Sequence, residues 1–94
     1  MTQKIVRLSG ELDHHSAAPL KEKLDKLIHA QGGGLRLVLD FRDVTLMDSS
    51  GIGLIIGRYK QLQKSGGELA VTGLNRQIDK VFTLSGLYRI IKKI

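Results

Sequence analysis

Leu20, Leu24, Leu27 and Ile28 recur at i, i+4, i+7 and i+8, a spacing that gathers them on one face of a helix. Ahead of them KIVRLSGEL, residues 4–12, carries Ile5, Val6, Leu8 and Leu12 and reads as a strand, and behind them GGG at 32–34 ends the helix. Asp13 or Ser16 can supply the N-cap. Pro19 then falls in the first turn, where the N–H groups have no intrahelical partners. LRLVLDF, residues 35–41, is almost continuously apolar, as a strand covered on both faces requires, so it is predicted to be central. Residues 42–51 read as the loop that follows it. A second helix is predicted from about Ser49 to Lys64, burying Ile52, Ile55, Ile56, Tyr59 and Leu62 and closed by SGG at 65–67. ELAVTGL, residues 68–74, reads as another strand. Asn75 can cap a shorter helix carrying Ile78, Val81, Phe82 and Leu84, and SGLYRII at 85–91 leads into a last short strand. Strand and helix alternate throughout. The fold class expected is therefore α/β, a single-layer, largely parallel sheet of about four strands joined by right-handed crossovers, in one domain over residues 1–94.

Composition narrows the chemistry. A chain of 94 residues supports one modest core, which must be mostly Leu, Ile and Val because Phe41, Tyr59, Phe82 and Tyr88 are its only aromatics. With no cysteine, disulfides, thiolate metal sites and cysteine nucleophiles are all excluded, which fits a reducing compartment. The longest apolar run, Gly51 to Gly57, is far too short to span a bilayer and the first residues lack a signal-peptide core, so the cytoplasm is expected, without a membrane partner. The formal charge of +6 raises nucleic acid or an acidic protein surface as a partner. The basic residues are scattered, however, and RIIKK at the C-terminus has no interleaved aromatics, so a solvated surface is expected and direct DNA contact is not.

The stretch MDSSGIG, residues 47–53, is the candidate site. In parallel α/β domains functional loops leave the carboxyl ends of strands, and a helix N-terminus delivered there favours a dianionic phosphate, as ligand or as phosphoserine. One N-cap would account for Asp48 or Ser49 but not for Asp48, Ser49 and Ser50 together. A nucleophilic serine lacks the G-x-S-x-G spacing, and nothing poises His14, His15 or His29 against it. Gly51 and Gly53 carry no bulk, which suits a phosphoacceptor open to another protein's active site. Spacing does not choose between Ser49 and Ser50.

MDSSGIG followed by GRYKQLQKSGGELAVTG, with LSGELDHHSA upstream and KVFTLSGLYRIIK downstream, resembles the anti-sigma factor antagonists, the bacterial STAS domains, and is most similar to the sporulation members of the sigma-F switch. The likeness runs in order over almost the whole chain. It implies that Ser49 is phosphorylated by the partner, an anti-sigma factor that is also a serine kinase, and that a serine phosphatase restores the free hydroxyl. It also implies a contact surface of Asp13, His14, Asp48, Ser49, Ser50, Gly51, Ile52, Gly53 and Arg58. The unmodified form would bind the anti-sigma factor and release the sigma factor, as a monomer, with no cofactor and no enzymatic activity of its own. Against the family pattern, an N-terminal strand before KIVRLSGELD and a longer C-terminal helix after IIKKI are missing or trimmed, which is expected to leave a sheet edge uncovered.

Two other readings use the same residues. DHH at 13–15 is also a signature of metal-dependent phosphoesterases, but a two-metal site needs further Asp and His ligands from separate loops, and no second cluster is present, so no metal is expected. A small phosphate- or nucleotide-binding domain could use the α-helical end at Ser49, although the sequence has no G-x-x-x-x-G-K-[ST] loop.

Overall fold

The computed structural model describes residues 2–94. Four strands, β1 (Thr2–Leu12), β2 (Leu35–Met47), β3 (Glu68–Thr72) and β4 (Lys92–Lys93), form one sheet in sequential order, every neighbouring pair parallel. Three helices alternate with them, α1 (His14–Gln31), α2 (Ser49–Lys64) and α3 (Arg76–Ser85), and a short 3-10 turn, Leu87–Arg89, precedes β4. With sequential parallel strands, right-handed crossovers carry all the helices to one face. The core agrees: Leu24 and Ile28 of α1, Ile55 and Leu62 of α2, and Ile78 and Phe82 of α3 share one cluster with Leu35, Leu37, Leu39 and Phe41 of β2.

That arrangement corrects the expectation for residues 35–41. β2 is central, but only its odd positions face the helices. Val38 and Asp40 are buried on the opposite face, in register with Ala70 and Thr72 of β3 and with Ile5 and Arg7 of β1. Ile5, counted among the apolar strand residues, is 63% exposed there. Asp40 is held by Arg42, whose backbone N–H donates to it at 3.0 Å and whose guanidinium reaches it at 2.9 Å; the backbone hydrogen bond foremost lowers the carboxyl's pKa.

Residues 42–51 are not a loop. β2 continues to Met47 because Val44 and Met47 turn inward, and because β1 pairs with it as far as Leu12 and Met47. Between Arg7 and Ser9 and again between Gly10 and Glu11 the register shifts, so β2 spends two more residues than β1 over the same span.

Asp13, not Ser16, begins α1. Its carboxylate accepts from the backbone N–H of His15 and Ser16 at 2.9 and 3.1 Å, while the Ser16 hydroxyl accepts the N–H of Asp13 at 3.0 Å. This is a capping box with serine in the return position. Pro19 therefore lies in the second turn rather than the first, and α1 forgoes the hydrogen bond that residue 19 would give the carbonyl of His15. In α2 the buried arc is Gly51, Leu54, Ile55, Arg58 and Leu62, while Ile52, Ile56 and Tyr59 pack at its margin. The arc is turned toward α1, whose Asp25 meets Arg58. Leu84, placed on the apolar face of α3, is 76% exposed.

At the chain's end Tyr88 donates its hydroxyl proton to Asp79 at 2.5 Å, and the Lys93 ammonium contacts the same oxygen at 2.9 Å, tying α3 to the last strand. Tyr88, foremost, and Lys93 hold the Asp79 carboxyl below its ordinary range, and burial followed by Asp79 pushes the Tyr88 hydroxyl above its own. A lowered carboxyl contributes stability that is present above the ordinary value near ~4 and is lost as pH falls through the folded pKa; a raised phenol contributes below ~10 and loses its contribution as pH climbs through the folded pKa. Melting temperature followed from pH 7 to 11 should therefore fall at the alkaline end in the parent, and more shallowly in Tyr88→Phe. Parallel curves would show that this hydroxyl does not couple to folding.

Candidate functional site

Because β1 and β2 run parallel and end in register, with Leu12 opposite Met47, the residues that follow them start two helices side by side. Asp13 caps α1 and Asp48 caps α2. The DHH and DSSG stretches, 33 residues apart in the sequence numbering from His15 to Asp48, thus share one end of the sheet. The backbone N–H of Asp48 donates to the carbonyl of Leu12 at 3.1 Å and locks the two starts together.

Asp48 has extended backbone, and its carboxylate accepts from the N–H of Ser50 at 2.8 Å. A cap of this kind contributes about 1 kcal/mol. Ser49 follows it in the first turn and is exposed, whereas Ser50 is half-buried and lines a groove shared with α1. Other first-turn N–H groups have no intrahelical acceptor, α2 carries no acid in that turn, and the positive end of the helix dipole lies there. An added phosphate here would be favoured by its own backbone.

Gly51 and Gly53 differ in role. A Cβ on Gly51 would lie 2.5 Å from Cγ of Met47 and 3.1 Å from both Cβ and the carbonyl oxygen of Leu12. Gly51 is buried, so it lets α2 approach the strand ends rather than presenting an open surface. Gly53 is exposed, and a Cβ there would meet nothing within 4 Å. Ile52 packs partly against the core between them. On the neighbouring start, Asp13 is half-buried and His14 exposed. The Asp13 carboxyl is held below its ordinary value, chiefly by the backbone N–H of Ser16, so it is a carboxylate at neutral pH. His14 and His15 meet edge to face with ring centres 5.7 Å apart, and no group of three His, Asp or Glu side chains among the described residues could hold a metal.

Arg58 stands apart from the others. It lies two turns along α2 with its side chain 8% exposed, its Nε 3.0 Å from the Asp25 carboxylate of α1. The structure therefore brings Asp13, His14, Asp48, Ser49, Ser50, Ile52 and Gly53 to one end of the molecule, puts Gly51 beneath them, and sets Arg58 in the seam between α1 and α2. Sequence reasoning missed the Arg58–Asp25 pair. Its signal was a charged residue in the apolar frame of Leu54, Ile55 and Leu62, and an acid between Leu24 and Ile28 on the facing helix.

The STAS domain family matches the chain over residues 2–94. The anti-sigma F factor antagonist of Paenibacillus polymyxa is 41% identical over 87 residues, 93% of this chain and 74% of that protein. The anti-sigma-B factor antagonist of Bacillus subtilis (strain 168) is also 41% identical, over 92% of this chain and 76% of that protein. Among solved structures, the anti-sigma factor antagonist SpoIIAA in its unphosphorylated form superposes with a TM-score of 0.83 at 32% identity, covering 99% of this chain and 80% of that one. The phosphorylated form of the Bacillus cell fate determinant SpoIIAA superposes with a TM-score of 0.73 at 30% identity, covering 98% and 82%.

Proposed function

Because this chain belongs to the STAS domain family and its relatives are anti-sigma factor antagonists, we propose that it is a binding switch acting on an anti-sigma factor. In the unmodified state the end of the molecule formed by Asp13, His14, Asp48, Ser49, Ser50, Ile52 and Gly53 docks on the anti-sigma factor, and the sigma factor is released. The anti-sigma factor is also a serine kinase. It transfers the γ-phosphoryl group of ATP to the Ser49 hydroxyl, the hydroxyl proton leaving as the O–P bond forms and ADP departing. The product carries about −1.5 to −2 charges in the middle of the docking surface and no longer binds. A serine phosphatase hydrolyses the ester and restores the active form. The setting is the cytoplasm; no helix among the described residues is long and apolar enough to cross a membrane.

The observation that carries this reading is the contrast between the two hydroxyls. Ser49 is exposed at the first position of a 16-residue helix, directly after its cap, while Ser50 is half-buried. A kinase active site must surround the acceptor oxygen, which favours the more exposed of the two. The nearby backbone favours the phosphate once formed, so modification should act on docking rather than on folding.

The test is a phosphoryl-transfer reaction with a candidate anti-sigma kinase, ATP and magnesium, followed by mass spectrometry of the peptide spanning residues 43–58. One phosphate on Ser49, appearing only when the kinase is present, is the expected result. Phosphate on Ser50, or labelling by ATP without the kinase, would overturn the assignment, the latter in favour of a nucleotide-binding domain that uses the same helix end.

A further inference from the structure

We propose that the groove between α1 and α2 receives an acidic side chain of the docked anti-sigma factor, with Arg58 as the group that binds it. The inference rests on the switch reading above and names a second anchor for the same partner.

The groove has a volume of about 350 Å³. Ala17 and Ala18 form its α1 wall, Gly53 and Gly57 its α2 wall, and Arg58 lines it from within the seam. Its space is left by the chain's own small residues: a Cβ on Gly53 or on Gly57 would meet nothing within 4 Å. The Arg58 side chain is more than nine-tenths buried, yet its bonding is incomplete. Its Nε lies 3.0 Å from Oδ1 of Asp25 but outside hydrogen-bond alignment, so both atoms of that ion pair lack a hydrogen-bond partner, and Nη1 lacks one as well. The Asp25 carboxylate is shared with Lys21 at 3.6 Å, so two cations at the groove face one anion.

A guanidinium has five N–H donors and pairs best with a carboxylate bidentately, and buried donors left without acceptors are costly. A carboxylate entering the groove would supply acceptors and cancel the excess positive charge. The small and apolar lining of Ala17, Ala18, Gly53, Leu54 and Gly57 suits the methylene stem of one Asp or Glu. Ser50 and Gly53 belong both to this groove and to the end of the molecule that carries Ser49, so a partner seated on that end lies within reach of the opening. A dianion on Ser49, one residue from the rim, would also repel the incoming carboxylate.

The experiment measures affinity of the ADP-bound anti-sigma kinase for the full chain by calorimetry. Gly57→Leu fills the groove at a position where the helix gains propensity, so its far-ultraviolet spectrum and melting should match or exceed the parent. Its affinity should fall by about thirtyfold. Arg58→Lys keeps the charge and loses the fork, and should bind weakly too. Each exposed Asp and Glu of the kinase is then replaced with Ala in turn. One replacement should weaken binding to the parent by a similar factor and weaken binding to Gly57→Leu no further. If Gly57→Leu binds within about twofold of the parent, or if no acidic residue of the kinase shows this coupling, the groove is not the receptor. In that event loss of binding by a Ser49→Asp chain would leave the switch standing, whereas a parent chain that does not bind the kinase at all overturns both.

Discussion

A Ser49→Asp chain should bind the anti-sigma factor more weakly than the parent by about two to three powers of ten, while melting within about 2 °C of it. The argument for the first half is charge placement. Ser49 is exposed at the helix start that also carries Asp48 and Gly53, beside the start of α1 with Asp13 and His14, and Asp13 and Asp48 already contribute carboxylates there. A further anion must be desolvated on docking against a surface suited to a neutral hydroxyl. A loss of about 3 to 4 kcal/mol from these sources converts to that change in affinity. The second half follows from the helix. An acid in the first turn of α2, where none is present, gains about 0.3–1 kcal/mol from the dipole, which offsets what the lost hydroxyl contributed. Ser49→Ala should bind with near-parent affinity and persist as an active form in the presence of kinase and ATP. Calorimetric titration and a thermal melt on the same preparations decide the matter: equal affinities for parent and Asp variant would remove the electrostatic basis of the switch, and a large fall in melting temperature would move the effect from interface to fold.

Phe82→Ala should be the most damaging single core truncation, with a loss of about 3–5 kcal/mol. Phe82 is fully buried at the junction of α3 with the sheet. Its ring meets Phe41 of β2 edge to face with centres 5.4 Å apart and lies 5.3 Å from the ring of Tyr88. Of the chain's four aromatic residues three therefore meet at one point, and removing the middle one leaves a cavity between a strand and the C-terminal segment. A domain of this size has only about 5–15 kcal/mol to lose. The expected fall in melting temperature is about 15 °C or more. Urea unfolding monitored by tyrosine fluorescence gives the free energy directly; a loss under about 1 kcal/mol would mean that the aromatic contacts do not hold α3 to the sheet.

The helical spacing of Leu20, Leu24 and Ile28 and the capping residues Asp13 and Asn75 were legible because each acts within a few residues of itself. The parallel sheet followed from alternation alone. β2's continuation to Met47 was not legible, since Asp43 and Thr45 look like turn residues until β1 is seen to supply partners through Leu12. The position of Pro19 failed for a related reason: a serine and an aspartate three residues apart both suit a cap, and the structure uses both, with the aspartate first. For the site, the motif located the helix end and the serines, but not which hydroxyl is exposed, because that depends on where α1 lies. The same dependence hid Arg58. No local pattern says that a cation on one helix will meet Asp25 on another, or that the small residues flanking it will leave an opening.

The two surplus residues of β2 separate placement from recognition. They fix how far the second strand travels before its helix begins, and so which atoms of the two helix tips come level with each other. Exchanging His14, Ser49 or Ser50 alters what the tips say to a visitor; altering the count between Phe41 and Met47 would alter where they stand. A lineage could thus retarget such a protein by rewriting a few side chains at its tips while the strand arithmetic behind them stays untouched.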